Sequence, residues 1–246
     1  MTFIGDVAWQ APAEVNRDGA APVQRPDVTT LSLSSSDTGF SSLKTTFAYM
    51  NRVAGRCAKA GRMEWTFEPG HTAAEFRVRH MMVTYVRGHF KNVHGTLRFD
   101  PEHPERSAVS VTLEAKSLWT GDPARDDHLR SADFLNVEKY PAITFNGDQI
   151  ELLGGFDYRL IGDLTIRGVT RKIPLRVTNL GIWETPWWED GSDKGPVLRA
   201  GFIGKAEINR HDFGVSWNSP LARSGVVVGS NVQITLDAEA IHWPKH

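Results

Sequence analysis

Between Asp122 and Phe145 the chain reads DPARDDHLRSADFLNVEKYPAITF, which sets Asp126, Asp127 and His128 side by side. Carboxylates beside an imidazole can move protons near neutral pH, because histidine titrates there and an acid can orient and charge it. Such chemistry also needs a second positioned group and a cleft, and the sequence displays neither. The surrounding residues read as structure. Asp122 is suited to cap a helix and Pro123 to open one. Asp126 and Arg130, four apart, would form an exposed helical ion pair worth about 0.3 kcal/mol. Tyr140-Pro141 ends the excursion, with Leu129, Phe134 and Leu135 facing inward and the acids facing water. No residue is therefore assigned a catalytic role, and the chain is read as a non-enzyme.

The remaining polar motifs are equally sparing. His80, His89, His94 and His103 do not stand at a zinc spacing, and Cys57 is the only cysteine, so no metal and no cofactor is expected. The glycines of GDLTIRGVTR have no helix behind them, which excludes a phosphate loop. In INRHDFGVSWN, Arg210 and Asp212 suit a structural clamp at a strand end. The sharper alternative is that Arg210 contacts the head group of a ligand.

These residues sit in a chain of 246 residues with a net charge of −1, which gives no reason to expect nucleic acid. No apolar run approaches the roughly 18 residues of a membrane span. The first residues lack a basic region followed by an apolar one, so no secretory signal is read and a cytoplasmic location is expected. Residues 1–39 are rich in Ala, Pro, Ser, Thr and Asp without a period, and are expected to be disordered. From 40 to 60, Leu43, Phe47, Met50, Ala54 and Cys57 share one face of a basic amphipathic helix. Residues 1–62 are read as an accessory extension, with Met63 as an alternative start, and residues 63–246 as the folded domain.

From Met63 onward the chain alternates. Val109, Val111 and Leu113 oppose Ser110, Thr112 and Glu114; Leu164 and Ile166 oppose Thr165 and Arg167. Period-two alternation implies one buried and one wet face. The turns at 153–157, 167–171 and 189–196 are too short for crossover helices, so the sheet is antiparallel. About eight such strands bury a single apolar face as a sandwich or as a closed barrel, and closure also removes free edges. An eight-stranded barrel can be filled by its own side chains or can hold one small ligand, here an apolar one.

The order of motifs is more specific. WTFEPGHTAAEFRVRHMMVTYVRGHF is followed by GTLRFD, HLRSADFLNVEKYPAITF, GDLTIRGVTRKIPL and INRHDFGVSWN, and a last strand ends in AEAIHW. From about Met63 to Trp243 this resembles the YceI-like family of lipid- and polyisoprenoid-binding proteins. The resemblance implies an all-β fold, an eight-stranded antiparallel lipocalin-like barrel with one short helical insertion. It implies non-enzymatic binding, transport or storage of a long apolar chain: a polyisoprenoid, an isoprenoid quinone or a fatty-acid derivative. It also implies a homodimer. Strand parity then nominates Phe76, Val78, Phe90, Leu97, Phe99, Val111 and Leu113 as cavity residues. Phe145, Leu164, Ile166 and Phe202 join them from later strands, and Leu129 and Phe134 from the helical excursion. His80 has the parity of Phe76 and Val78, so it would meet a ligand's polar end. Two other readings stand beside this one: an enzyme acting on a lipid or isoprenoid through Asp126, Asp127 and His128, and a solid-core interaction module. The segment ETPWWEDGSDKG departs from the family pattern, and Trp187 and Trp188 there would form a lid, form an apolar docking patch or fold back onto the barrel.

Overall fold

The computed structural model of the chain describes residues 63–101 and 103–243. The expectations for residues 1–62, disorder and an amphipathic helix at 40–60, lie outside the described residues. Ten strands follow: β1 (Met63–Phe67), β2 (Ala73–His80), β3 (Thr84–Phe90), β4 (Val93–Phe99), β5 (Ala108–Glu114), β6 (Ala142–Gly154), β7 (Asp157–Ile166), β8 (Val169–Glu189), β9 (Ser192–Asn209) and β10 (Val228–His242). One α-helix, α1 (Pro123–Arg130), sits between β5 and β6.

The ten segments make an eight-stranded barrel. Both β1 and β2 pair with β10, while β4 pairs with β1 and β3 with β2. So β1 and β2 are one strand interrupted at 68–72, and β3 and β4 are its interrupted neighbour. The ring runs on antiparallel through β5, β6, β7, β8 and β9 to β10 and closes where Phe67 meets Ala240. Pro69 has no backbone N–H to offer a ladder, which accounts for the interruption. The break stays stitched to β10: Glu68 N–H donates to the Glu239 carbonyl, and Glu239 N–H donates to Thr72 Oγ1.

Tight turns keep neighbours antiparallel. Arg167-Gly168 and Asp190-Gly191 each join two strands with both residues at positive φ, the backbone whose twist matches a hairpin. The expected long turn at 189–196 is therefore only two residues long. Asp-Gly adopts that turn readily, so β8 and β9 continue up to it. Packing differs along the barrel. One end is solid around Trp65 with Met63, Ile182, Ala200 and Ala240. The other end is covered by α1 and the loops near it, with Leu118, Val137 and Phe213 buried beneath.

Candidate functional site

A cavity of about 300 Å³ runs inside the barrel between these two ends, within the size range of small-molecule sites. It begins against Phe67, Leu97 and Phe99 and ends against Phe134, Phe213 and Arg210. Alternation builds it: Leu160 and Leu164 from β7, Ile173 and Leu175 from β8, Ala206 and Ile208 from β9, and Ile234 and Leu236 from β10 all point inward. Phe76, Val78, Phe90, Val111, Leu113, Phe145, Ile166 and Phe202 line it as strand parity expects, and Leu129 from α1 and Phe134 from the segment after it close one side. His80 does not line it. It is the last residue of β2, and the lining at this level comes instead from Val228, its ladder partner on β10.

Few polar groups reach this space. At Gly88 and Gly162 an added Cβ would lie 2.5 Å from an aromatic carbon of Phe76 and Phe145 respectively, so both rings approach bare backbone closely. Tyr158 lines the cavity near the β6–β7 turn, and burial raises its phenol above the ordinary tyrosine value, opposed by a hydrogen bond with Asn179. Alternation alone assigned Tyr158 to the inner face, but it could not show that the half-buried phenol is shifted by partial burial. Because its folded-state value is raised, its contribution to stability is complete below about pH 10 and is lost as pH climbs through that raised value. Near-ultraviolet difference titration of the wild type against Tyr158→Phe is expected to place the lost phenol step above the ordinary tyrosine value. A lost step at the ordinary tyrosine value would show that Tyr158 is open to water.

Arg210 follows β9 in a short 3-10 turn, Arg210–Phe213, and lines the opposite end of the cavity. It is 5% exposed, and burial lowers its guanidinium from the usual value. The expected clamp to Asp212 does not form. Nε donates to Gly229 O at 2.9 Å, Nη1 to Val215 O at 2.7 Å and Trp217 O at 2.9 Å, and Nη2 to Val228 O at 3.2 Å. Four backbone carbonyls thus surround one cation, and Asp212 stays exposed. Guanidinium has five N–H groups, so one is left beyond these contacts.

The Asp126–Asp127–His128 cluster is taken apart by the helix. Successive helical side chains point about 100° apart, so neighbours in sequence serve different surroundings. Asp126 is buried rather than exposed, accepting from Thr120 N at 2.9 Å and from its hydroxyl. Asp127, not Asp126, pairs with Arg130, which also donates to the Lys116 and Leu118 carbonyls. His128 faces Asp133 at 2.9 Å and packs edge-on against Phe134 and Trp217. Asp122 caps the helix at Arg125 N, as its position predicts. All of these contacts pin α1 over the barrel end, and none of the three groups lines the cavity. Among the described residues, no three His, Cys, Asp or Glu side chains gather as a metal site. Trp187 folds back against Trp243, while Trp188 is 64% exposed.

Comparison with known proteins gives a consistent assignment. The family model for the YceI-like domain matches residues 65–240. Protein YceI of Escherichia coli strain UMN026 is 36% identical over 173 residues, 70% of this chain and 85% of the relative. The crystal structure of the Campylobacter jejuni YCEI protein superposes with a TM-score of 0.55 at 27% identity, covering 68% of this chain and 90% of that one. A polyisoprenoid binding domain from Saccharophagus degradans, implicated in plant cell wall breakdown, shares the fold at 11% identity with a TM-score of 0.51, covering 74% of this chain and all of that one.

Proposed function

Because the chain belongs to the YceI-like domain family, we propose that it is a carrier: it holds one long apolar chain, a polyisoprenoid, an isoprenoid quinone or a fatty-acid derivative, inside the barrel without transforming it. The observation that carries the reading is the cavity inside the barrel with its almost wholly apolar lining. A chain threaded there gains about 0.8 kcal/mol for each methylene withdrawn from water. A structural relative described as a polyisoprenoid binding domain supports the ligand class.

Geometry supports an elongated ligand. Tyr158 stands beside Val177, and Val177 beside Gly204, while Arg210 lies six residues further on, just past the end of β9. At about 3.3 Å per residue the two polar groups are separated by roughly 20 Å along the strand, with apolar lining between. In this reading Arg210 meets the head group through its remaining N–H and its uncompensated charge. The cavity offers no paired acid and base, which is why carriage is favoured over turnover.

Organic extraction of the purified protein followed by mass spectrometry tests the proposal. The expected result is a bound lipid or isoprenoid recovered at close to one per chain. Recovery of none, together with no uptake of added prenyl or fatty-acyl chains, would mean that the barrel is a solid-core interaction module. Conversion of the added chain to a new product would instead establish an enzyme.

A further inference from the structure

The turn from β2 to β3 has a conformation that its residues do not favour. Met81 and Met82 occupy its centre with φ of 47° and 62°, and Val83 N–H donates back to His80 O at 3.2 Å. Two central residues at positive φ define a type I′ turn, which normally takes Asn-Gly or Asp-Gly, as Asp190-Gly191 of this same chain does. Here the strained backbone carries two long apolar side chains and directs them into water. Met81 is 47% exposed, Met82 45%, Val83 84% and Tyr85 41%.

The turn has a firm seat. Met81 N–H donates to Val227 O at 2.8 Å, and Met82 Cγ lies beside Gly225. Both contacts belong to the loop that leads into β10. Arg79 donates twice to the Met82 carbonyl, at 3.1 and 2.6 Å, which holds its guanidinium at the base of the tip. Charge is one-sided. Residues 76–90 contain Arg77, Arg79 and Arg87 and no acid, and residues 214–230 contain Arg223 and no acid. Arg77 lies over the Tyr85 ring at 4.5 Å. The carboxylates on the packed strands, Glu75 opposite His89 and Glu207 opposite Gln233, lie back along the sheet from the tip.

We propose that this knuckle docks the protein on an anionic lipid bilayer. Methionine is flexible enough to enter a disordered acyl boundary, while the arginines reach lipid phosphates with their stems kept in apolar surroundings. A stable protein interface needs about 800 Å² from each partner, more than a protruding turn of this size supplies. The proposal stands whatever the barrel carries.

Flotation of the full-length protein with phosphatidylcholine vesicles, with and without phosphatidylglycerol, provides the test. The wild type is expected to float with the anionic vesicles and to be released by salt. Met81→Asn with Met82→Gly suits the type I′ turn, so its Tm is expected to equal or exceed that of the wild type. Its partition into anionic vesicles is nevertheless expected to fall about tenfold, because two apolar side chains are lost from the contact. Arg87→Gln with Arg223→Gln keeps the turn and is expected to lose the salt-sensitive part of binding. Unchanged partition of the methionine variant overturns the proposal. So does equal flotation with both vesicle types, or failure of the wild type to float while the knuckle captures a protein partner.

Discussion

Replacing Ala206 with Trp is expected to lower affinity for a prenyl or long acyl chain by roughly 100-fold while the barrel stays folded. Ala206 points into the cavity from β9 and pairs in the ladder with Ile234 of β10. An indole there occupies space that a ligand's methylenes would fill. Displacing three or four of them costs about 3 kcal/mol of binding, which is the stated loss in affinity. The barrel should tolerate the ring, because a cavity of about 300 Å³ has room for an indole without overpacking. Titration with a fluorescent prenyl or acyl probe measures the affinity, and far-ultraviolet circular dichroism checks the fold. Full retention of binding in a folded Ala206→Trp protein would place the ligand outside the barrel and defeat the carrier reading. Leu153, 42% exposed near the end of β6, supplies the control, since a Trp there should change nothing.

The second large effect concerns stability. Arg210→Met is expected to cost about 3–5 kcal/mol, because it leaves four carbonyls around a buried site without their donor. For a domain of this size that corresponds to a fall in Tm of about 10 °C. The carbonyls come from the segment after the 3-10 turn, at Val215 and Trp217, and from the start of β10, at Val228 and Gly229. One side chain therefore ties the covering loop to the barrel wall. Arg210→Lys should recover only part of the loss, since a compact ammonium cannot reach carbonyls spread around a planar fork. Thermal unfolding measures both. A Tm for Arg210→Met within about 2 °C of the wild type would mean that water replaces the guanidinium at little cost, and the tie would be incidental.

Much of the fold was legible because strand alternation records burial directly. A side chain on a strand faces one of two sides, so Val111, Leu164 and Phe202 declared their inward direction by parity alone. Parity does not say where a cavity stops. His80 shares the parity of Phe76 and Val78 yet does not line the cavity, although Val228 opposite it does. The helical excursion was legible as a helix from Asp122 and Pro123. The fate of its polar residues was not: Asp126 is buried by Thr120, a residue outside the helix whose approach no local pattern encodes.

The sequence by itself determined the strands, their antiparallel order, the inward apolar set and the helix start, because each depends on residues close together in the chain. Only the tertiary structure decided that ten segments merge into eight by sharing β10, that Arg210 answers to four carbonyls rather than to Asp212, and that the Asp-Asp-His run has three separate destinations. It also decided that Met81 and Met82 stand in water with Arg79 bound to the Met82 carbonyl. Those outcomes depend on contacts between residues far apart in sequence, which form only when the barrel closes and whose partners local periodicity cannot name.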